Sequence, residues 1–541
     1  MINGGAPTWL PLPKGTALWR QWGVLAGAAA LVAALASCGS GTRAQLGEEG
    51  FVSGFYGGVA GDEPRAVLIG RDVLSAGGTA GDAAVAMAFS LAATMPSRAS
   101  LGGGGVCVIH EPKAMRTEAL DFLPRAPAEM APPGAPRFAV PGMTRGLFAL
   151  HARLGRLRWE ELVSPGERLA RFGLDVSRAF ARDLAAAGPM LERDAAARAI
   201  FADPSGAPIG SGARLRQLDL AATLSRVRAD GPGSFYAGPG AQAYAAGIRA
   251  LGGAMSAEDL RDYRPVWQAT IKGRAGSHVA HFAPSAMGGL AAAELWAMLE
   301  DGGRYDSTRA DEKPHLIAEA TARAGVAPVP LDQRGRIQGA WAERAMQGYD
   351  PARHVAAAPQ PGAASEDGQS TGFAAMDRDG GAVACTLTAG KMFGAGRIVS
   401  SMGVIAASVP DAASLWSLAS MVVVNENTKD TFLSLSAGGD ASAPVALVSS
   451  ALALFEGKST IVAAVAAPRA SHNTAIDATL VETAGDPMAQ SLAARGHRVG
   501  RVNVMARLNG MYCTGGVKRD AESCALATDP RGLGLAAGAE K

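Results

Sequence analysis

Charge is sparse in this chain, and nothing in it concentrates one sign. Charged residues make up 18% of 541 positions and sum to +2, so no basic field is present to hold nucleic acid. No fixed-period repeat is visible, which argues against a solenoid or propeller. The longest apolar run near the N-terminus, Val24–Leu35, falls short of the ~20 residues a membrane-spanning helix needs. Metal-ligand spacing is missing as well. His278 and His281 form an isolated pair with no third ligand nearby, so no metal site is expected. Leu101 opens a run of glycines, Gly102–Gly105, ahead of a strand at Val106–Ile109. Phosphate-binding glycines follow a strand and open a helix instead. The run therefore signals close backbone approach beside a packed site, and no cofactor is expected.

What is present fits a well-packed globular protein: 48% hydrophobic residues and 69 glycines for tight turns. The length allows several domains or one large one, and no interdomain linker stands out. The N-terminus carries Lys14 and Arg20, then the apolar run, then Ala36, Ser37 and Cys38. That order is the charged, apolar and small-residue plan of an export signal. Leu35–Cys38 resembles the bacterial lipobox, in which the cysteine is lipidated and becomes the mature N-terminus. Residues 1–37 are then a signal peptide. The expected location is the cell envelope, anchored by lipid on the periplasmic side, with Gly39 fitting the outer membrane. Export also permits a disulfide between Cys513 and Cys524, which flank a polar loop. Cys107 and Cys385 sit in apolar strand-like runs and read as buried small hydrophobes.

Helical periodicity covers Arg71–Thr94, Met143–Leu154, Gly288–Leu299 and Lys313–Gly325. Strand texture marks Trp267–Ile271, His278–Phe282 and Ala419–Asn425. The texture changes abruptly at Ser370 and Thr371. Before them runs a stretch rich in Pro, Ala and Gly, residues 351–369. After them the pattern predicts a strand to Asp377, a tight turn over Arg378–Gly381, and a second strand over Ala382–Thr388. A hydroxyl opening a buried hairpin just after a cuttable loop is what a self-cleaving N-terminal nucleophile requires.

Taken together, several stretches resemble the gamma-glutamyltransferase family. They are Leu74–Ala86, Leu101–Gly105, Val140–Gly142, Gly155–Leu157 with Trp159 and Leu162, Phe235–Tyr236 with Gly238–Pro239, and Asp259–Trp267. In the second half they are Ser370–Asp377, Phe393–Gly394, Ala437–Gly439, Ala467–Arg469 and Asp529–Arg531. The resemblance implies an α/β (α+β) N-terminal-nucleophile hydrolase fold: an αββα sandwich of two stacked, mainly antiparallel sheets covered by helices. It implies a precursor that cuts itself into a large region, 38–369, and a small region, 370–541, which stay associated as one globule. Ser370 takes the nucleophile position, with Thr371 as the alternative one register on. Thr388 matches a threonine that hydrogen-bonds the nucleophile, and Gly438 and Gly439 match the glycines whose N–H groups form the oxyanion hole.

The substrate-reading positions depart from the family. Its Asp-Phe-Arg reads Asp121-Phe122-Leu123, and Leu cannot replace a guanidinium fork on a carboxylate. Arg125 is the basic residue left in reach. The family's Asn becomes Gly390, its acidic stretch leaves only Asp411, and its paired serines reduce to Trp416-Ser417. The implied function is an autoprocessing amidohydrolase or acyltransferase on a small-molecule amide or peptide, with altered gamma-glutamyl specificity. The alternative is a catalytically degenerate lipoprotein of the same fold that binds or scaffolds. For the anchor, the expected outcome is a fatty-acid analogue label on the wild type that disappears in Cys38→Ala, measured by metabolic labelling.

Overall fold

The hairpin expected after Ser370 forms the centre of a seven-stranded sheet, with bounds Ser370–Asp377 and Ala382–Thr388. Every residue of both strands is buried, which is why they read as continuous apolar runs rather than alternating ones. Asp377 shapes the turn: its Oδ1 accepts from the N–H groups of Asp379 at 3.0 Å and Gly381 at 2.9 Å, as Asp does in tight turns. Its Oδ2 accepts from Ala80 N–H at 2.8 Å and so ties the turn to the first turn of a helix, Ala80–Thr94.

This computed structural model describes residues 55–540 except 130, 133, 326–328, 357–369 and 458. Residues 1–37, expected above to be a signal peptide, Cys38 and Gln369 lie outside the described residues. The strand order of the first sheet is Leu535–Glu540, Phe55–Gly61, Ser370–Asp377, Ala382–Thr388, Gly104–Glu111, Arg116–Asp121 and Val266–Ala269, with every pairing antiparallel. A six-stranded sheet runs Cys524–Thr528, Arg507–Cys513, Asp430–Gly438, Ala419–Asn425, His278–Phe282 and Ile271–Ala275, again antiparallel throughout.

The two sheets pack face to face. Val106, Val108, Met376 and Ala384 of the first meet Val422, Val424 and Met511 of the second. Hydroxyls cross the same gap. Thr431, Ser434 and Ser436 donate to the carbonyls of Gly380, Val383 and Cys385 at 2.7, 3.2 and 2.7 Å. Helices including Pro64–Ser75, Ala80–Thr94, Met143–Leu154 and Trp159–Phe172 cover the outer face of the first sheet. Met287–Glu300, Lys313–Arg323 and Ala443–Phe455 cover the second. This is the αββα sandwich. A small separate sheet of Ala470–Asn473, Ala478–Glu482 and Val499–Val502 lies near the end of the chain. No helix among the described residues is long and apolar enough to cross a membrane.

Two expectations need correction. The periodicity over Arg71–Thr94 is two helices, because Gly77 adopts φ +88° and Thr79 starts a new helix with a capping box to Asp82. Periodicity spans such a break, whereas the cap and the left-handed glycine end it. Cys107 and Cys385 are not free hydrophobes: they stand directly opposite each other on neighbouring strands and form a disulfide. Their separation of 278 residues hides that pairing from sequence. Cys513 and Cys524 are also joined. Thiol titration of denatured, unreduced protein should therefore find no reactive cysteine other than Cys38. Reduction should lower unfolding stability by about 2–5 kcal/mol in denaturant titrations.

Candidate active site

The sheets come close where Gly372 of one faces Gly438 of the other. A Cβ placed on Gly372 would lie 2.3 Å from Ser436 Oγ, and one on Gly438 would lie 3.0 Å from Gly372 N. That contact brings the end of the Asp430–Gly438 strand against the start of the Ser370–Asp377 strand. Gly439 follows with φ +126°, a conformation suited to glycine, and its N–H donates to Ser370 Oγ at 2.9 Å. The Ser370 hydroxyl donates in turn to Ser417 O at 2.8 Å. Thr388 stands opposite Ser370 in the ladder, and its Oγ1 accepts from Gly390 N–H at 2.9 Å.

Thr371 belongs to the other face of the strand, as alternation requires. Its hydroxyl donates to Asp62 Oδ2 at 2.9 Å, and Asn509 holds the other Asp62 oxygen at 2.8 Å. The Ser370 carbonyl accepts from two buried guanidiniums, Arg98 at 3.1 Å and Arg507 at 3.3 Å. Arg98 is clamped by Asp183 through bonds of 2.7 and 2.6 Å. Burial pulls the Asp183 carboxyl up, but the Arg98 charge and its hydrogen bonds outweigh that and hold it below the ordinary range. Burial, and then the neighbouring Arg98 charge, lower the Arg507 guanidinium. Asp440, next after Gly439, is pushed up by burial and accepts from Ser442 N–H at 2.8 Å.

A cavity of about 620 Å³ opens beside this centre, lined among others by Trp416, Asp440, Ser442, His472 and Asn473. Trp416 and Asp440 flank the two residues whose backbone groups hold Ser370 Oγ. Ser417 is thus brought to the centre by its carbonyl, while its own hydroxyl donates to Ser414 O at 2.8 Å. The remaining sequence candidates are engaged elsewhere. Asp411 caps the helix Ala412–Trp416, accepting from Ser414 N–H at 2.9 Å, and its other oxygen lies 3.7 Å from Lys391 Nζ. Arg125 packs over the Tyr263 ring at 5.2 Å and pairs with Asp121 at 3.7 Å. Leu123 is buried in an apolar cluster with Ala286 and Leu418. Gly390 has φ +84°, and a Cβ there would meet Ser408 O at 2.3 Å, so the backbone itself excludes a larger residue.

His278 and His281 fall on opposite faces of their strand, since a spacing of three breaks the period of two. His278 packs on Phe432 with ring centres 4.3 Å apart, and His281 bonds Thr270 Oγ1 at 2.7 Å. The histidines that do converge are His315, His354, His472 and His497. Sequence reading missed these, as it missed Asp62, Arg98, Asp183, Asp440, Arg507 and Asn509. One signal was available: Arg98 is the only charged residue between Asp82 and Glu111, and a lone charge in an apolar stretch points to a buried partner.

Two antiparallel sheets between helical layers, with a strand-opening hydroxyl beneath a backbone N–H, define an N-terminal-nucleophile hydrolase fold. Within that class the chain belongs to the gamma-glutamyltranspeptidase family, which matches residues 66–412. The glutathione hydrolase proenzyme of Bacillus subtilis (strain 168) is 30% identical over 397 residues, covering 64% of this chain and 66% of the relative. The Escherichia coli K12 glutathione hydrolase proenzyme is 30% identical over 383 residues, covering 64% and 65%. Both matches span just under two thirds of the relative's length. In fold, a cephalosporin acylase from Bacillus halodurans aligns with a TM-score of 0.74 at 20% identity, covering 92% of this chain and 98% of that one. The gamma-glutamyltranspeptidase of Helicobacter pylori aligns with a TM-score of 0.50 at 26% identity over 56% of this chain and 94% of that one.

Asp183→Asn leaves the Arg98 charge buried without its counter-ion and should cost about 3–5 kcal/mol in denaturant unfolding. The Asp183 carboxyl is held low, so its contribution is present above about pH 4, its ordinary unfolded value, and fades as pH falls through the lower folded value. The gap between wild type and variant should therefore shrink below about pH 4, measured as unfolding midpoints across pH.

Proposed function

We propose that the protein is an autoprocessing amidohydrolase or acyltransferase in which Ser370 is the nucleophile. The observation that carries this reading is the position of Ser370 Oγ between Gly439 N–H and Ser417 O at the head of a buried strand. Thr371, with its hydroxyl committed to Asp62, is the weaker candidate. In the proposed sequence Ser370 Oγ attacks the Gln369 carbonyl, the acyl group shifts from nitrogen to oxygen, and water hydrolyses the ester. The freed α-amine then serves as base to its own hydroxyl. Arg98 and Arg507, which bond the same residue's carbonyl, disfavour a protonated amine there by like charge. Gly439 N–H, with Gly438 beside it, supplies the oxyanion donors, each worth roughly 2.7–4 kcal/mol at the transition state. The proenzyme names of the two relatives support processing in this chain as well.

The acyl group we assign is an amide-linked one without the charged head of glutamate. Leu123 in its apolar cluster, Gly390 against Ser408, and Asp411 spent on a helix cap leave no carboxylate clamp in the family's positions. The setting we propose is outside the cytoplasm, lipid-anchored through Cys38, where two disulfides suit an oxidising compartment.

Cleavage at the proposed bond would leave the fragments joined by Cys107–Cys385. Wild-type protein should therefore run as one species on an unreduced denaturing gel and as two after reduction, the smaller beginning at Ser370 by N-terminal sequencing. Ser370→Ala should stay single under both conditions, and Thr371→Ala should still be cut. A single wild-type chain after reduction would overturn the reading in favour of a binding protein. Processed enzyme should turn over gamma-glutamyl-p-nitroanilide at least about a hundredfold more slowly than an uncharged acyl anilide, given the loss of a charge-assisted fork.

A further inference from the structure

Four of the eight histidines in the sequence meet in one place. They come from distant segments: His315 lies on the helix Lys313–Arg323, His354 just before residue 357, and His472 and His497 on and beside the small three-stranded sheet. One ring nitrogen from each of His354, His472 and His497 lies within 4.8 Å of the others. Asp477, on the turn after His472, has a single oxygen that faces two of these rings. Its Oδ1 stands 3.5 Å from His354 Nε2 and 3.5 Å from His472 Nε2.

Hydrogen-bond counting assigns which atoms of these rings carry lone pairs. His315 Nε2 lies 2.8 Å from the Asp350 carbonyl, so it must donate. With the imidazoles neutral, His315 Nδ1 then accepts from His497 Nε2 at 2.7 Å. His497 Nδ1 accepts from the Thr479 hydroxyl at 2.8 Å. Thr479 Oγ1 in turn accepts from His472 Nδ1 at 3.0 Å. The chain ends in a bare lone pair on His472 Nε2, a buried atom with no hydrogen-bond partner. His354 reaches the same state directly. Its Nδ1 donates to Glu319 Oε1 at 2.5 Å, and Arg323 holds the other Glu319 oxygen at 2.8 Å. With both rings neutral, the two Nε2 lone pairs face the Asp477 carboxylate oxygen, three acceptors with no donor between them. His497, with both nitrogens committed, belongs to the supporting layer.

We propose that His354 Nε2, His472 Nε2 and Asp477 Oδ1 bind one divalent transition-metal ion of the zinc type. Two ligands about 2.05 Å from zinc at the tetrahedral angle stand about 3.3 Å apart, close to both measured edges. Imidazole with carboxylate suits zinc and its neighbours rather than calcium or magnesium. Each imidazole donates its other N–H to a fixed oxygen, Glu319 or Thr479, the arrangement that orients metal-binding histidines. His472 also lines the 620 Å³ cavity beside Ser370. The ion would join the region carrying His354, before the proposed cleavage point, to the one carrying His472 and Asp477 after it.

The test uses the full chain, stripped with a chelator. Cobalt(II) should be taken up at one equivalent with the visible absorption of a tetrahedral site, and zinc should displace it. Zinc should also raise the thermal midpoint by binding the folded state. Asp477→Asn changes an exposed turn and should fold normally by circular dichroism, yet bind zinc at least about tenfold more weakly. His472→Gln should behave alike. The absence of stoichiometric binding to the parent would overturn the proposal. So would parent-like affinity in Asp477→Asn and His472→Gln, which would place the ion elsewhere. Both readouts are independent of chain cleavage and of turnover.

Discussion

Everything at the candidate centre depends on the side-chain-free contact between the two sheets at Gly372 and Gly438. Sheets that meet through ordinary side chains stand about 10 Å apart, too far for a backbone N–H of one to reach a hydroxyl of the other. Here the approach is close enough for Gly439 N–H to bond Ser370 Oγ. The hydroxyls of Thr431, Ser434 and Ser436 hold the same spacing along the strand by donating to carbonyls of the opposite sheet. A side chain at either glycine would separate the sheets and withdraw the Gly439 donor from Ser370 Oγ.

The second constraint is electrostatic. Two guanidiniums buried against one carbonyl would be prohibitive alone, because burying an unpaired charge costs several kcal/mol. Asp183 and Asp62 make the arrangement tolerable, and Asn509 fixes Asp62 in place. The partnership draws on residues from both ends of the chain. Positive charge thereby reaches the backbone of Ser370 without exposure to water. Leu123 meanwhile lies in an apolar cluster, Gly390 is closed off by the Ser408 backbone, and Asp411 is spent on a helix cap.

Much of the frame was legible in the sequence. The bounds of the Ser370–Asp377 and Ala382–Thr388 strands, and of the helix Met143–Leu154, follow from apolar pattern and turn chemistry. The two-helix break at Gly77 escaped because small apolar residues continue the periodicity across it. Cys107–Cys385 escaped because strand register, not spacing, makes partners of distant cysteines. The histidine pair at 278 and 281 misled for the converse reason: close in sequence, it is split by the pleat of a strand.

The sequence by itself determined the family, the hairpin opened by Ser370, and the glycines placed to serve it, since local pattern and turn residues encode these directly. Which hydroxyl faces the centre was decided only in three dimensions, by the alternation that turns Thr371 toward Asp62. Tertiary structure alone also brought Arg98, Asp183 and Arg507 to Ser370, and gathered the histidines around Glu319. Such groups are joined by packing across hundreds of residues, and no short-range rule of sequence records a contact that only the folded sheets create.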